Sequence, residues 1–309
     1  MTTPSAIPVL RGVSVTVANL LALRGVRLAL RRNAPRASGL HGGNRLTRHR
    51  GRGVDFAEVR LYQPGDDVRA IDWRVTARKA KPHTKVYREE RERPTLVVVD
   101  QSQSMLFGSR LRLKSVAAAE CAALLAWHAL DSGDRVGGVI FGDDGEYSFK
   151  PYRNPRAVVR LLSRLQQSNV ALAAQRGRRR TPRSLAGLFE HLIHIARNGF
   201  RIYFVSDFSA FDTDCERQLR RLARHNSVVL LRISDPLERE LPPPETYAVT
   251  DGITRRTLAT GDRRARDRYH NDFEVATRRL SDACVATRCE FISLSTDEAP
   301  PARLARINH

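Results

Sequence analysis

The chain has 309 residues, of which 41% are hydrophobic and 28% charged, and 53 Lys and Arg against 33 Asp and Glu leave a formal net charge of +20. This is the composition of a folded globular protein, and it excludes collagen-like and low-complexity chains. The length allows a large buried core and predicts one large domain with an appendage. Cys121, Cys215, Cys284 and Cys289 contain no CxxC pair, which excludes a zinc knuckle and favours reduced thiols over a disulfide framework.

Every Lys or Arg before the first acidic residue, Asp55, is an arginine, from Arg11 to Arg52. The apolar stretch 13–30 is broken by Arg24 and Arg27, so no membrane span or secretory leader is read and a cytoplasmic protein is expected. Within it, Leu20, Leu21, Leu23, Val26, Leu28 and Leu30 predict a short amphipathic helix. Residues 33–52 carry Pro, Gly and Ser and read as a loop or linker.

After Pro94 strands alternate with helices. The β-branched run 95–99 predicts a strand buried on both faces, followed by a helix over 111–130 and a strand over 135–141. A short strand at 147–150, a helix over 155–167, a basic loop at 175–183 and a helix over 184–198 come next. Strands at 200–205 and 227–233 flank a helix at 212–225; a hairpin at 248–260, a long helix at 262–287 and a strand at 290–295 complete the series. This alternation predicts an α/β fold, a doubly wound, mostly parallel sheet flanked by helices, at 94–297. It divides the chain into a basic N-terminal segment at 1–93, that domain, and a tail at 298–309.

Ligands of such sheets bind beyond the carboxyl ends of the strands. Asp100, Ser102 and Ser104 follow the strand at 95–99 directly, and one carboxylate with two hydroxyls at alternating positions offers hard oxygen ligands for Mg²⁺ or Mn²⁺. The alternative is that the aspartate and serines only turn the chain and cap a helix. Asp207 ends the strand at 200–205, which predicts a second carboxylate beside the first. In the N-terminal part, Gly65, Asp66, Asp67, Arg69, Asp72, Trp73 and Arg78 read as a rigid corner. There Asp66 or Asp67 caps a helix, Arg69, Asp72 and Arg78 form ion pairs, and Ile71 and Trp73 give an apolar anchor. Arg176, Arg178, Arg179, Arg180 and Arg183 form a basic loop able to bind phosphates. With no aromatic residue at 156–187 to stack bases, a solvated charge run, or one matched to an acidic protein surface, fits it better than nucleic acid. His191 and His194 share a helix face without a third metal ligand. No nucleophile elbow, P-loop or dinucleotide fingerprint is present, so no enzyme is expected.

DxSxS at one strand end with an aspartate at another resembles the von Willebrand factor A domain and its metal-ion-dependent adhesion site. The resemblance implies a threonine from the intervening loop; Arg183 stands in that slot, with Thr181 or Ser184 as substitutes, and an arginine there opposes a cation. The run YQPGDDVRAIDW, then TAR, KVYREE and DQSQSM, with Asp235-Pro-Leu-Glu238 later, is similar to the domain-of-unknown-function-58 family over roughly residues 35–297. That resemblance implies a von Willebrand A-like domain and a partnership with a MoxR-type AAA+ ATPase. The function it implies is that of a non-catalytic adaptor in chaperone-like assembly or stress response. Sequence-independent binding of nucleic acid or an anionic surface through the arginines is the alternative.

Overall fold

The computed structural model describes residues 10–28, 30, 54–63, 66, 68–89, 93–174, 184–250 and 254–308. The chain divides into two compact units, Met1–Arg32 with Arg93–His309, and Asn33–Glu92.

In the larger unit the elements run in this order: α1 (Val17–Ala22), then, after the smaller unit's β1 (Val54–Leu61), α2 (Trp73–Lys79) and β2 (His83–Glu89), β3 (Pro94–Asp100), α3 (Lys114–Asp131), β4 (Arg135–Gly142), β5 (Gly145–Tyr152) and α4 (Pro155–Ala174). They continue with α5 (Leu185–Ile195), β6 (Arg201–Ser206), α6 (Thr213–Ala223), β7 (Ser227–Ser234), α7 (Pro236–Arg239), β8 (Thr246–Thr250), β9 (Arg255–Ala259), α8 (Arg263–Thr287), β10 (Glu290–Ser295) and α9 (Pro300–Leu304). The six-stranded sheet has the order β10-β7-β6-β3-β4-β5. All its pairings are parallel except β4 with β5. The α/β class read from the sequence, a doubly wound and mostly parallel sheet flanked by helices, is therefore the architecture of this domain.

Alternation along the strands sorts the core into two layers. Val97, Val99, Tyr203 and Val205 face α3, α4 and α9, whereas Leu96, Val98, Ile202 and Phe204 face α5, α6 and the end of α8. Helix α3 is buried almost all round because its alanines let it lie close to the sheet. Gly138 serves the same end: a Cβ there would come within 2.6 Å of Val97 O, so β4 approaches β3 only as glycine.

Residues 10–28 and Leu30, from the N-terminal segment read in the sequence, pack against this core. Leu20 and Leu23 are buried, Trp127 Nε1–H donates to Leu20 O at 3.1 Å, and Gly12 bridges to Arg112. Each buried leucine contributes about 2 kcal/mol. Within residues 298–309, Leu304 and Ile307 are fully buried. The cysteines are free thiols, with Cys121, Cys215 and Cys284 buried. No described helix is long and apolar enough to cross a membrane.

The smaller unit holds the antiparallel pair β1–β2 and helix α2. Asp72, not Asp66, caps the helix: its carboxylate accepts from the amides of Arg74 and Val75. Asp66 instead accepts from Arg60 Nη2 at 2.7 Å and Gln63 N at 2.9 Å. Arg69 lies in a single 3-10 turn, Val68–Ala70, and Arg78 in the basic last turn of α2. Trp73 is 68% exposed, so the expected apolar anchor is not buried within this unit. Gly65 and Asp67 lie outside the described residues.

Candidate functional site

Strands β3 and β6 are neighbours in the sheet, with Val99 opposite Val205, so their carboxyl ends place Asp100 beside Ser206 and Asp207. Asp100 is buried. Its Oδ1 accepts from Ser102 N at 2.8 Å and its Oδ2 from Ser206 Oγ at 2.6 Å. Ser206 Oγ in turn accepts from Phe208 N at 3.0 Å, and Phe208 holds a left-handed φ of 54°. A phenylalanine in that region marks local strain, held here by burial of the ring against Phe204.

The loop after Asp100 is fastened from several sides. Gln101 Nε2 donates to Ser115 O at 3.1 Å, and Gln101 Oε1 accepts from Asn169 Nδ2 at 2.9 Å. Asn169 Oδ1 accepts from Val15 N, tying residues 10–30 to the same network. Gln103 N donates to Asp143 Oδ2 at 2.7 Å, which brings the β4–β5 turn to the rim. These bonds set Ser102 Oγ and Ser104 Oγ 3.1 Å apart, in a pocket that also includes Asp100, Asp207, Leu185 and Phe208.

Asp207 Oδ1 accepts from Ser209 N at 3.0 Å, and its Oδ2 accepts from Lys114 Nζ at 2.8 Å. The same ammonium reaches Glu238 Oε1 at 2.5 Å. The two aspartates are driven apart electrostatically. Burial, reinforced by the charge of Asp207, pushes the Asp100 carboxyl up to about 7, against the hydrogen bonds from Ser102 and Ser206. For Asp207 burial also acts upward, but Lys114 outweighs it and holds the carboxyl below the usual range. For Lys114, burial pulls the ammonium down, and Asp207 and Glu238 more than reverse it.

The structure brings Asp100, Ser102, Ser104 and Asp207 together around one pocket. Thr181 and the loop arginines Arg176, Arg178, Arg179, Arg180 and Arg183 lie outside the described residues. Ser184 caps α5, its hydroxyl accepting from Gly187 N at 3.2 Å. Ser206 lines this pocket, and Lys114, which also reaches Glu238 outside it, bonds to Asp207; none of the three was singled out from the sequence. Lys114 follows the DxSxS loop at the start of a helix that periodicity begins three residues too early, at 111 instead of 114. Glu238 was visible only as a member of a motif. His191 Nε2 lies 3.5 Å from Glu146 Oε1, away from these groups.

Carboxylates and hydroxyls thus gather at the carboxyl ends of adjacent central strands of a doubly wound, mostly parallel sheet. The chain belongs to the family described as "Protein of unknown function DUF58", which it matches over residues 58–279. Uncharacterized proteins of Mycobacterium tuberculosis and Mycobacterium bovis are each 32% identical to it over 225 residues, covering 72% of this chain and 67% of theirs. Among solved structures, the conserved hypothetical protein BatB from Bacteroides thetaiotaomicron aligns with a TM-score of 0.41 and 13% identity over 69% of this chain and 94% of its own. A von Willebrand factor type A protein from Catenulispora acidiphila aligns with a TM-score of 0.36 and 9% identity over 72% of this chain and 42% of its own.

Proposed function

We propose that this protein is a non-catalytic interaction module that recognises an acidic side chain of a partner through a divalent cation held by Asp100, Ser102, Ser104 and Asp207. The observation that carries this reading is the placement of two serine hydroxyls 3.1 Å apart beside two buried carboxyls at the sheet's carboxyl edge. Neighbouring oxygens around an octahedral Mg²⁺, with bonds of about 2.1 Å, lie about 3 Å apart, so the hydroxyl spacing suits that ion. Among the described residues no three His, Cys, Asp or Glu side chains gather into a metal cage, and the donor set here is instead hard carboxylate and hydroxyl oxygen. Mg²⁺ or Mn²⁺ bound there would supply a concentrated positive charge able to attract a partner's carboxylate.

The protein's own residues do the rest. Gln101, Asn169 and Asp143 hold the loop rigid, so the serines need little reordering when a partner arrives. Leu185 and Phe208 give the pocket an apolar wall that limits solvent access beside the polar groups. The sequence carries no nucleophile elbow, in keeping with recognition as the reading. By resemblance of the YQPGDDVRAIDW and DQSQSM segments, the partner is a MoxR-type AAA+ ATPase, and the role is that of an adaptor in assembly or stress response.

The test is affinity purification of the tagged protein from its host in Mg²⁺, in EDTA, and as Asp100→Asn and Ser104→Ala, after nuclease treatment. Retention of an AAA+ ATPase in Mg²⁺, with loss in EDTA and in either variant, supports the reading. Retention throughout removes the cation from it. Loss of all partners on nuclease treatment would favour the basic-surface alternative.

A further inference from the structure

Lys114 is 2% exposed, and it is the first residue of an 18-residue helix. Both circumstances disfavour a cation: burial removes the ammonium from water, and the amino end of a helix already carries partial positive charge. Its position is tolerated because Asp207 and Glu238 each accept from it.

Glu238 is held for this purpose. Its Oε2 accepts from Asp235 N at 2.9 Å in a capping box at the start of α7. Asp235 is itself pinned by Ser109 Oγ and Thr296 Oγ1, each at 2.5 Å. The ammonium therefore sits between a buried carboxylate that belongs to the candidate cation site and a carboxylate outside it that is 28% exposed. With the ammonium on Asp207, much of that group's negative charge is neutralised before any metal ion binds.

We propose that Lys114 is a resident counter-cation that competes with a divalent metal ion for Asp207, and that Glu238 sets the strength of this competition by drawing the ammonium away. This assigns the regulation of the site to residues outside the DxSxS loop, and it rests on the cation reading above. The site is then weak by construction. Removing Lys114 leaves Asp207 unpaired and demanding a positive charge, which tightens metal binding. Removing the charge of Glu238 commits the ammonium wholly to Asp207, which weakens it.

The experiment is calorimetric titration of Mn²⁺ into the full chain, as wild type, Lys114→Met, Glu238→Gln and Asp100→Asn, with circular dichroism to confirm folding. The expected result is an affinity at least about tenfold tighter in Lys114→Met, several-fold weaker in Glu238→Gln, and lost in Asp100→Asn. Should Lys114→Met not fold, the Glu238→Gln comparison decides, because that partly exposed group is replaced by its isostere. Equal Mn²⁺ affinity in wild type and the folded Lys114 and Glu238 variants, with loss in Asp100→Asn, would overturn the role of Lys114 and leave the cation site standing. Binding that is absent from every form, or indifferent to Asp100→Asn, would overturn both. A structural role alone would change melting temperature without moving the Mn²⁺ affinities in opposite directions.

Discussion

Arg112 is the joint between the two ends of the larger unit, and replacing it with methionine should be among the most damaging single changes in the domain. Its Nε donates to Thr296 O at 3.0 Å, its Nη2 to Glu298 O at 2.5 Å, and its Nη1 to Leu10 O at 3.4 Å and to the Glu120 carboxylate. Both side chains of the Arg112–Glu120 pair are fully buried. Methionine fills much of the space but leaves a buried carboxylate without its counter-ion and three carbonyls without a donor. Breaking a buried pair in this way costs about 3–5 kcal/mol. At about 2–4 °C per kcal/mol for a domain of this size, the melting temperature should fall by roughly 6–20 °C in calorimetry at pH 7.

The sign of the pH dependence follows from Glu120. Burial pushes its carboxyl from 4.5 up to about 7, against the pull of Arg112. The folded protein therefore holds a proton there that the unfolded chain releases, so this group's contribution is complete below about 4.5 and is lost as pH rises through about 7. Without Arg112 the folded value rises further, so the penalty is largest at neutral pH and the deficit of Arg112→Met should narrow toward pH ~5. In Arg112→Met the buried Glu120 carboxyl must take up a proton on folding at pH 7; adding Glu120→Gln removes that cost and should recover about 2 kcal/mol. A loss below about 1 kcal/mol in the single variant, or a double variant no more stable than the single, would refute the assignment of Arg112 as an electrostatic joint.

Two further outcomes follow from packing and exposure. Gly138→Ala puts a methyl group 2.6 Å from Val97 O and 2.8 Å from Leu161 Cδ1, so chemical denaturation should show a loss of about 2 kcal/mol or more. Trp73 is 68% exposed and Trp127 only 4%, so Trp73→Phe should abolish most of the acrylamide-quenchable fluorescence and leave a blue-shifted emission from Trp127. Quenching that persists unchanged in the variant would show that Trp73 is covered.

The doubly wound sheet is legible in the sequence because its central strands are continuous apolar runs, a pattern that only burial on both faces explains. Asp100 and Asp207 are legible for a related reason: the residue that ends such a run must lie at the sheet's carboxyl edge, where the chain turns away. What periodicity misses is set by contacts distant in sequence. The helix after DxSxS begins at Lys114 and not at 111, because Leu111 and Leu113 exchange backbone hydrogen bonds with Gly12. Helix α4 runs past 167 to Ala174, where Asn169, polar in sequence, is buried by its bonds to Gln101 and Val15. Lys114 is illegible by the same logic, since a lysine at a helix start normally lies in water. Only the fold brings it against Asp207 and Glu238. Trp73 errs in the opposite direction: its apolar bulk argues for an anchor, yet the small unit that carries it leaves it exposed.

The position of Lys114 bears on how an interaction module of this kind would be controlled. A cation site made of unpaired carboxylates holds its ion more tightly, and its occupancy then depends less on a partner. On the proposed reading, the ammonium already offsets Asp207, so an incoming ion meets little net negative charge. A partner's carboxylate supplies the charge that is lacking. Ion and partner then favour each other's binding, and linkage requires the two effects to be equal in free energy. On that reading Lys114 would be as much a determinant of partner recognition as the serines that would touch the ion.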